Sequence, residues 1–244
     1  MISFKCNIHV NVILIRSWLA VVVCLAHFTF AADDYPWLAE LDAGQGVKAS
    51  GLRLMNLDPG LHPLERNTGR ATKILVGVHG FRSKGYEWVY PLQTLDDENT
   101  LAFFHRWNTF QCSNNASADM ARSLGIVLAS HPHIESVKII GHSYGGLMAI
   151  GFIEHWTQEI STQVHAVAAP LAGTGNNKLP RVLPPYVEVA QWRTIQALDN
   201  AFKDWPADPQ VVDIPGSVVT RLPESYPGRR LGHNWSISWV AENI

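Results

Sequence analysis

Gly141-His142-Ser143-Tyr144-Gly145 sets a serine between two glycines in the pattern G-x-S-x-G. A serine hydroxyl attacks poorly until a base of near-neutral pKa takes its proton, so position and partners decide whether this one can act. The apolar run Val137 to Ile140 ends directly before the motif, and a run of small and apolar residues begins at Gly145. A strand passing through a sharp turn into a helix holds the turn serine in a strained conformation, its hydroxyl above the sheet. Gly141 and Gly145 suit such a bend, because a Cβ at either place would crowd it. The competing explanation is an ordinary turn facing solvent or phosphate. A phosphate-binding turn would carry a different glycine spacing or a following lysine, and this one has neither. A second glycine turn, His79-Gly80-Phe81-Arg82, closes another apolar run.

The surrounding elements must place that serine. Residues 73–79, 136–140, 164–169 and 186–192 are short apolar runs, as expected of strands buried on both faces of a parallel sheet. Residues 211–222 supply a final strand, broken at Pro215-Gly216. In 117–130, Met120, Ala121, Leu124, Val127 and Leu128 share one helical face. Residues 145–156 are small or apolar almost throughout until Glu154, which fits a helix buried beneath a sheet. Strands alternating with helices predict an α/β fold, a doubly wound, mostly parallel sheet flanked by helices. The interval after residue 169 holds Pro170, Gly173, Gly175, Pro180, Pro184 and Pro185 and is too short for a large cap domain. An open cleft with a loop lid is expected.

Val78-His79-Gly80-Phe81 and Gly141-His142-Ser143-Tyr144-Gly145-Gly146 together make residues 71–160 resemble the N-terminal half of an α/β-hydrolase, of the lipase and esterase kind. The resemblance weakens after residue 170 but continues in order to the last histidine. It implies that Ser143 is the nucleophile and that the backbone N–H groups of Phe81 and Tyr144 stabilise the oxyanion. Losing one such donor costs on the order of 3 kcal/mol of transition-state stabilisation. His79 is then structural, holding the Gly80 turn by hydrogen bonds.

Eleven histidines make residue type useless for choosing the base. The triad of such hydrolases runs nucleophile, acid, histidine along the chain. This order points to His233, in Arg230-Leu231-Gly232-His233-Asn234-Trp235. His142, next to the nucleophile, should turn its side chain away from it. His131, His133, His155 and His165 are read as surface or packing residues on loops or helix ends. The acid is Asp199, in Ala197-Leu198-Asp199-Asn200-Ala201-Phe202, with Asp204, Asp208 and Asp213 as alternatives. Two departures attach to Asp199: asparagine follows where glycine is usual, and Arg193 to Leu198 is a long approach. No metal or cofactor is called for, since neither His-x-x-x-His nor paired cysteines occur.

The 244 residues hold 19 Lys+Arg against 21 Asp+Glu, a net charge of -2 that argues against a nucleic-acid partner gripped by charge. Three cysteines are too few for a disulfide scaffold. Lys5 and Arg16 are the only charges before Asp33, and an apolar stretch follows that ends in Ala31-Ala32. This pattern predicts a signal peptide over residues 1–31, export to a periplasm or the outside, and one domain over 32–244. A retained membrane anchor is the alternative, although the apolar run is shorter than the ~20 residues that span a bilayer. Cleavage would remove Cys6 and Cys24, leaving Cys112, which is read as a buried apolar residue.

The expected reaction is hydrolysis of a carboxylic ester on a small molecule or a lipid, the latter bringing contact with a membrane surface. Trp88, Tyr90, Phe103, Phe104, Trp107 and Tyr144 are candidates to line an acyl pocket, against a plain role in the core. The rival readings are a noncatalytic relative that binds a lipid or a partner, and a peptidase or amidase on the same fold. Composition does not speak to oligomeric state.

Overall fold

Short strands that are apolar on both sides need a layer of helices on each face, and the chain supplies both layers. The computed structural model describes residues 34–66, 69–109, 113–172 and 179–244. The expected signal peptide and Cys112 lie outside the described residues. Seven strands form one sheet: β1 (Gly60–Pro63), β2 (Lys73–Val78), β3 (Thr100–Arg106), β4 (Ser136–His142), β5 (Ser161–Val167), β6 (Val187–Arg193) and β7 (Val218–Arg221). Their spatial order is β1-β3-β2-β4-β5-β6-β7, with β1 antiparallel to β3 and every other pair parallel.

Side chains alternate between the two layers with the two-residue period of a strand. Val76, Ile139 and Val164 pack with Met120, Leu124 and Phe152 of helices α3 (Ser113–Ser130) and α4 (Tyr144–Phe152). Leu75, Ile140 and Val167 pack with Trp88, Leu92, Ile237 and Val240 of α2 (Tyr86–Leu95) and α5 (Gly232–Ala241). Buried apolar side chains of this size each contribute roughly 1.5–3 kcal/mol. Residues Pro36–Ile244 cluster as one compact unit. Residues 168–186 link β5 to β6, and no large cap stands on the sheet among the described residues.

The doubly wound α/β architecture is therefore as the sequence predicts, with differences in detail. The final strand is confined to Val218–Arg221, after the break at Pro215-Gly216. The helix expected over 145–156 ends at Phe152 and continues as a short 3-10 turn, Ile153–His155. His165 is not at a loop or helix end. It lies within β5, buried, with Trp192 Nε1 donating to its Nδ1 at 3.1 Å. Helix α1 (Val47–Met55), α2, β1 and β3 are elements that the apolar patterning does not predict.

Candidate active site

Ser143 stands at the junction of β4 and α4 with φ 56 and ψ -124, a backbone conformation that costs a non-glycine residue about 1–3 kcal/mol. Hydrogen bonds hold it there: Ser143 N donates to Val167 O at 2.8 Å, and Gly146 N donates to Ser143 O at 2.9 Å. Both motif glycines are required by contact. A Cβ on Gly141 would lie 2.3 Å from Gly145 O, and one on Gly145 would lie 2.0 Å from Val78 O. Among the described residues, the two other non-glycine residues with positive φ, Arg82 and Ala168, follow β2 and β5, the strands on either side of β4. Backbone strain thus gathers at the C-terminal edge of the sheet, around the serine.

The His-Gly turn meets that serine directly. A Cβ on Gly80 would stand 3.0 Å from Ser143 Cβ and 3.1 Å from His142 O, so any larger residue would push the two loops apart by a few tenths of an ångström. The approach brings Phe81 beside Tyr144, with ring centroids 5.7 Å apart. Neither of their amide N–H groups meets a backbone acceptor among the described residues. Tyr144 N–H lies at the start of α4, where helix N–H groups are unpaired and the dipole favours negative charge. His79 holds the turn. Its Nδ1–H donates to Gly80 O at 2.9 Å, and Trp107 N–H donates to its Nε2 at 3.1 Å. One donor and one acceptor fix a neutral ring, and burial pushes its pKa down to about 3.

Asp199 and His233, the acid and base that the sequence predicts, lie 34 residues apart along the chain. His233, early in α5, places Nδ1 2.9 Å from Oδ2 of the fully buried Asp199. The long approach from β6 is taken up by a 3-10 turn, Gln196–Leu198, which delivers Asp199. Asp199 Oδ2 also accepts from Thr194 Oγ1 at 2.5 Å, and Oδ1 accepts from Ala201 N at 2.8 Å. Burial pushes this carboxyl's pKa up, but His233, the Thr194 hydroxyl and the Ala201 amide together hold it below the ordinary 3.8. Behind it, Gln210 accepts from Thr194 N at 2.8 Å, donates to Thr194 O at 3.1 Å and donates to Asp208 Oδ1 at 2.9 Å. Asp208 thus supports the Asp199 loop, whereas Asp204 and Asp213 make no hydrogen bond to His233 among the described contacts.

Phe202 packs edge-on against the His233 ring at 5.0 Å, and His142 touches the same ring at 4.7 Å. His142, expected to turn its side chain away from Ser143, places its Nε2 3.0 Å from His233 O. Ser143 Oγ makes no hydrogen bond to His233 among the described contacts. Burial raises the pKa of Glu87, on α2, against the pull of the Ser83 hydroxyl it accepts from and of the nearby His233 ring. Thr194, Gln210 and Glu87 carried no motif that could have flagged them.

The proposed acyl-pocket aromatics need correction. Trp88, Phe103, Phe104 and Trp107 are buried in the core, Phe103 and Trp107 in one layer and Trp88 and Phe104 in the other, because helices cover both faces of the sheet. Tyr90 is exposed and donates to Glu242, so of the six only Tyr144 stands at the serine. Tyr86, whose hydroxyl accepts from Asn234 Nδ2 at 3.3 Å, links α2 to the His233 segment. A cavity of about 320 Å³ lined by Lys73, Lys138, Ser161 and Gln163 lies at the opposite end of the sheet, where β2, β4 and β5 begin.

No family model and no curated protein sequence matches this chain. Solved structures do. Est1E from Butyrivibrio proteoclasticus superposes with a TM-score of 0.51 at 10% identity, over 75% of this chain and 90% of that one. An esterase from Pyrococcus furiosus gives 0.50 at 14% identity, over 72% and 80% of the two chains. A putative α/β hydrolase of unknown function from Agrobacterium tumefaciens gives 0.51 at 14% identity, over 76% and 85%. At such identities the likeness is one of architecture. The chain has the α/β-hydrolase fold.

Proposed function

We propose that this protein is a serine hydrolase that cleaves carboxylic esters through Ser143, His233 and Asp199. The observation that carries the reading is the buried Asp199–His233 pair, 2.9 Å across, whose imidazole packs on His142, the residue directly before a strained serine. A carboxylate with three donors fixed on it remains ionised and orients the imidazole with hydrogen on Nδ1, leaving the Nε2 lone pair to act as base. Ser143 Oγ attacks the acyl carbon as His233 takes its proton. The carbonyl oxygen gains charge between the N–H groups of Phe81 and Tyr144, and collapse expels the alcohol, protonated by His233. Water then attacks the acyl-enzyme by the same route and releases the acid. Two neutral histidines, His79 and His142, border this machinery without adding a charge that would disfavour the His233 imidazolium.

Esters are favoured over amides because an alkoxide leaves more readily than an amide nitrogen, and the rim of the site offers aromatic surface such as Phe81 and Tyr144. A panel of p-nitrophenyl esters and aminoacyl p-nitroanilides tests this reading. Ester turnover should exceed anilide turnover by at least about 100-fold in kcat/KM, some 2.7 kcal/mol. The reverse order would establish a peptidase, and turnover of neither class would favour a noncatalytic binding protein.

A further inference from the structure

Strand parity decides where His142 points. Along β4, Val137 and Ile139 face α3 and α4, while Ile140 faces the layer of α2 and α5. His142 is two residues beyond Ile140 and shares its face, toward the helix that carries His233. The ring is 2% exposed and its Nε2 lies 3.0 Å from the main-chain oxygen of His233. A carbonyl oxygen only accepts, so Nε2 carries the hydrogen and Nδ1 is bare. That Nδ1 is buried and has no hydrogen-bond partner among the described residues. An apolar ring would fill this space without burying an unpaired acceptor, so the feature that distinguishes histidine here is the Nε2–H bond.

The base is therefore held at both ends. Asp199 fixes the imidazole at Nδ1, and His142 fixes the main chain beneath it, assisted by Ser236 Oγ, which donates to the same carbonyl at 2.5 Å. His142 is also joined covalently to Ser143. A shift of His233 relative to the nucleophile must stretch the His142 bond. We propose that His142 is a positioning residue that sets the separation of Ser143 and His233, and this rests on the serine-hydrolase reading above. Burial holds the His142 pKa down at about 3, so the donor stays neutral at the pH values where His233 must act as a base.

His142→Phe keeps a ring and removes the donor, while His142→Gln restores an N–H at the end of a flexible side chain. Misplacing a catalytic group by about 1 Å can cost about 100-fold in rate. For His142→Phe, kcat on a p-nitrophenyl ester and the rate constant for fluorophosphonate labelling should both fall by about 10- to 100-fold, with KM within about twofold. His142→Gln should recover most of both. A residue that served stability alone would lower the melting temperature and the fraction labelled, but not the rate per labelled site. A folded His142→Phe with wild-type kcat per labelled site would overturn the proposal, as would a glutamine variant no better than phenylalanine. If His142→Phe does not fold, His142→Asn, too short to reach the carbonyl, takes its place with the same expected loss. Labelling that survives Ser143→Ala would instead overturn the serine-hydrolase reading and this proposal with it.

Discussion

Replacing Asp199 by asparagine exchanges one oxygen for an NH2 group with almost no change in volume, and the surrounding bonds dictate which oxygen is lost. The Oδ1 position faces Ala201 N–H at 2.8 Å, a donor that tolerates only an acceptor. The amide oxygen must stay there, which puts NH2 at the Oδ2 position against Thr194 Oγ1 and His233 Nδ1. Thr194 can rotate its hydroxyl to accept. His233 can only comply by turning a lone pair toward the amide, which moves its hydrogen to Nε2 and removes the base from Ser143. The wrong tautomer in an otherwise intact site costs about 10⁴-fold in kcat, or about 5.5 kcal/mol of transition-state stabilisation. The assay is steady-state hydrolysis of a p-nitrophenyl ester by variants with wild-type circular dichroism. Asp199→Asn should lose about 10³- to 10⁴-fold in kcat, and Asp213→Asn should stay within about threefold of wild type. A kcat for Asp199→Asn within tenfold of wild type, or an equal collapse in Asp213→Asn, would refute the assignment of the acid.

Thr194→Val removes one hydroxyl from the ionised Asp199 and should lower kcat about tenfold, in line with a hydrogen bond to a charged group; an unchanged kcat would count against the support network. Gly145→Ala and Gly80→Ala should separate stability from activity. The first sets a Cβ 2.0 Å from a backbone oxygen and should prevent soluble folding, while the second crowds Ser143 and should leave a folded protein with depressed kcat. Equal behaviour of the two would contradict the contact geometry. Acid sensitivity follows from four buried histidines, His79 and His142 at about 3, His105 and His165 at about 4, against an ordinary 6.5. Their folded pKa values are depressed, so the unfolded chain binds more protons and stability is lost as pH falls from 6.5 toward 3. Asp96, pushed up to about 7 by burial and Glu65, and Glu87, raised by burial, work oppositely, two groups against the four rings. Thermal midpoints should therefore fall from pH 7 to pH 4, and a rising midpoint would contradict the burial of these rings.

The parallel core strands were legible because burial on both faces writes continuous apolar runs, and the elbow was legible because strand, glycine turn and helix are contiguous. The elements that escaped carry residues that speak against them locally. Helix α1 contains Gly51, whose absent Cβ lets it press against the Tyr86 backbone, and α2 contains Pro91 in its interior. Strand β1 is four residues long and ends in Pro63, as suits a sheet edge. Strand β3 had a readable run, Leu101 to Phe104, but its phenylalanines invited a pocket reading instead. In the site, His142 was readable in principle from β4 parity. Thr194 and Gln210 were not, since they reach Asp199 through loops whose spacing follows no period.

Covalent labelling tests the central claim most directly. The full chain is treated with a fluorophosphonate and analysed by intact mass and peptide mapping. One adduct per chain, located on Ser143, absent from Ser143→Ala and strongly slowed in His233→Ala, is the outcome the geometry predicts. No adduct on a folded wild-type chain, or an adduct on another residue, would contradict it.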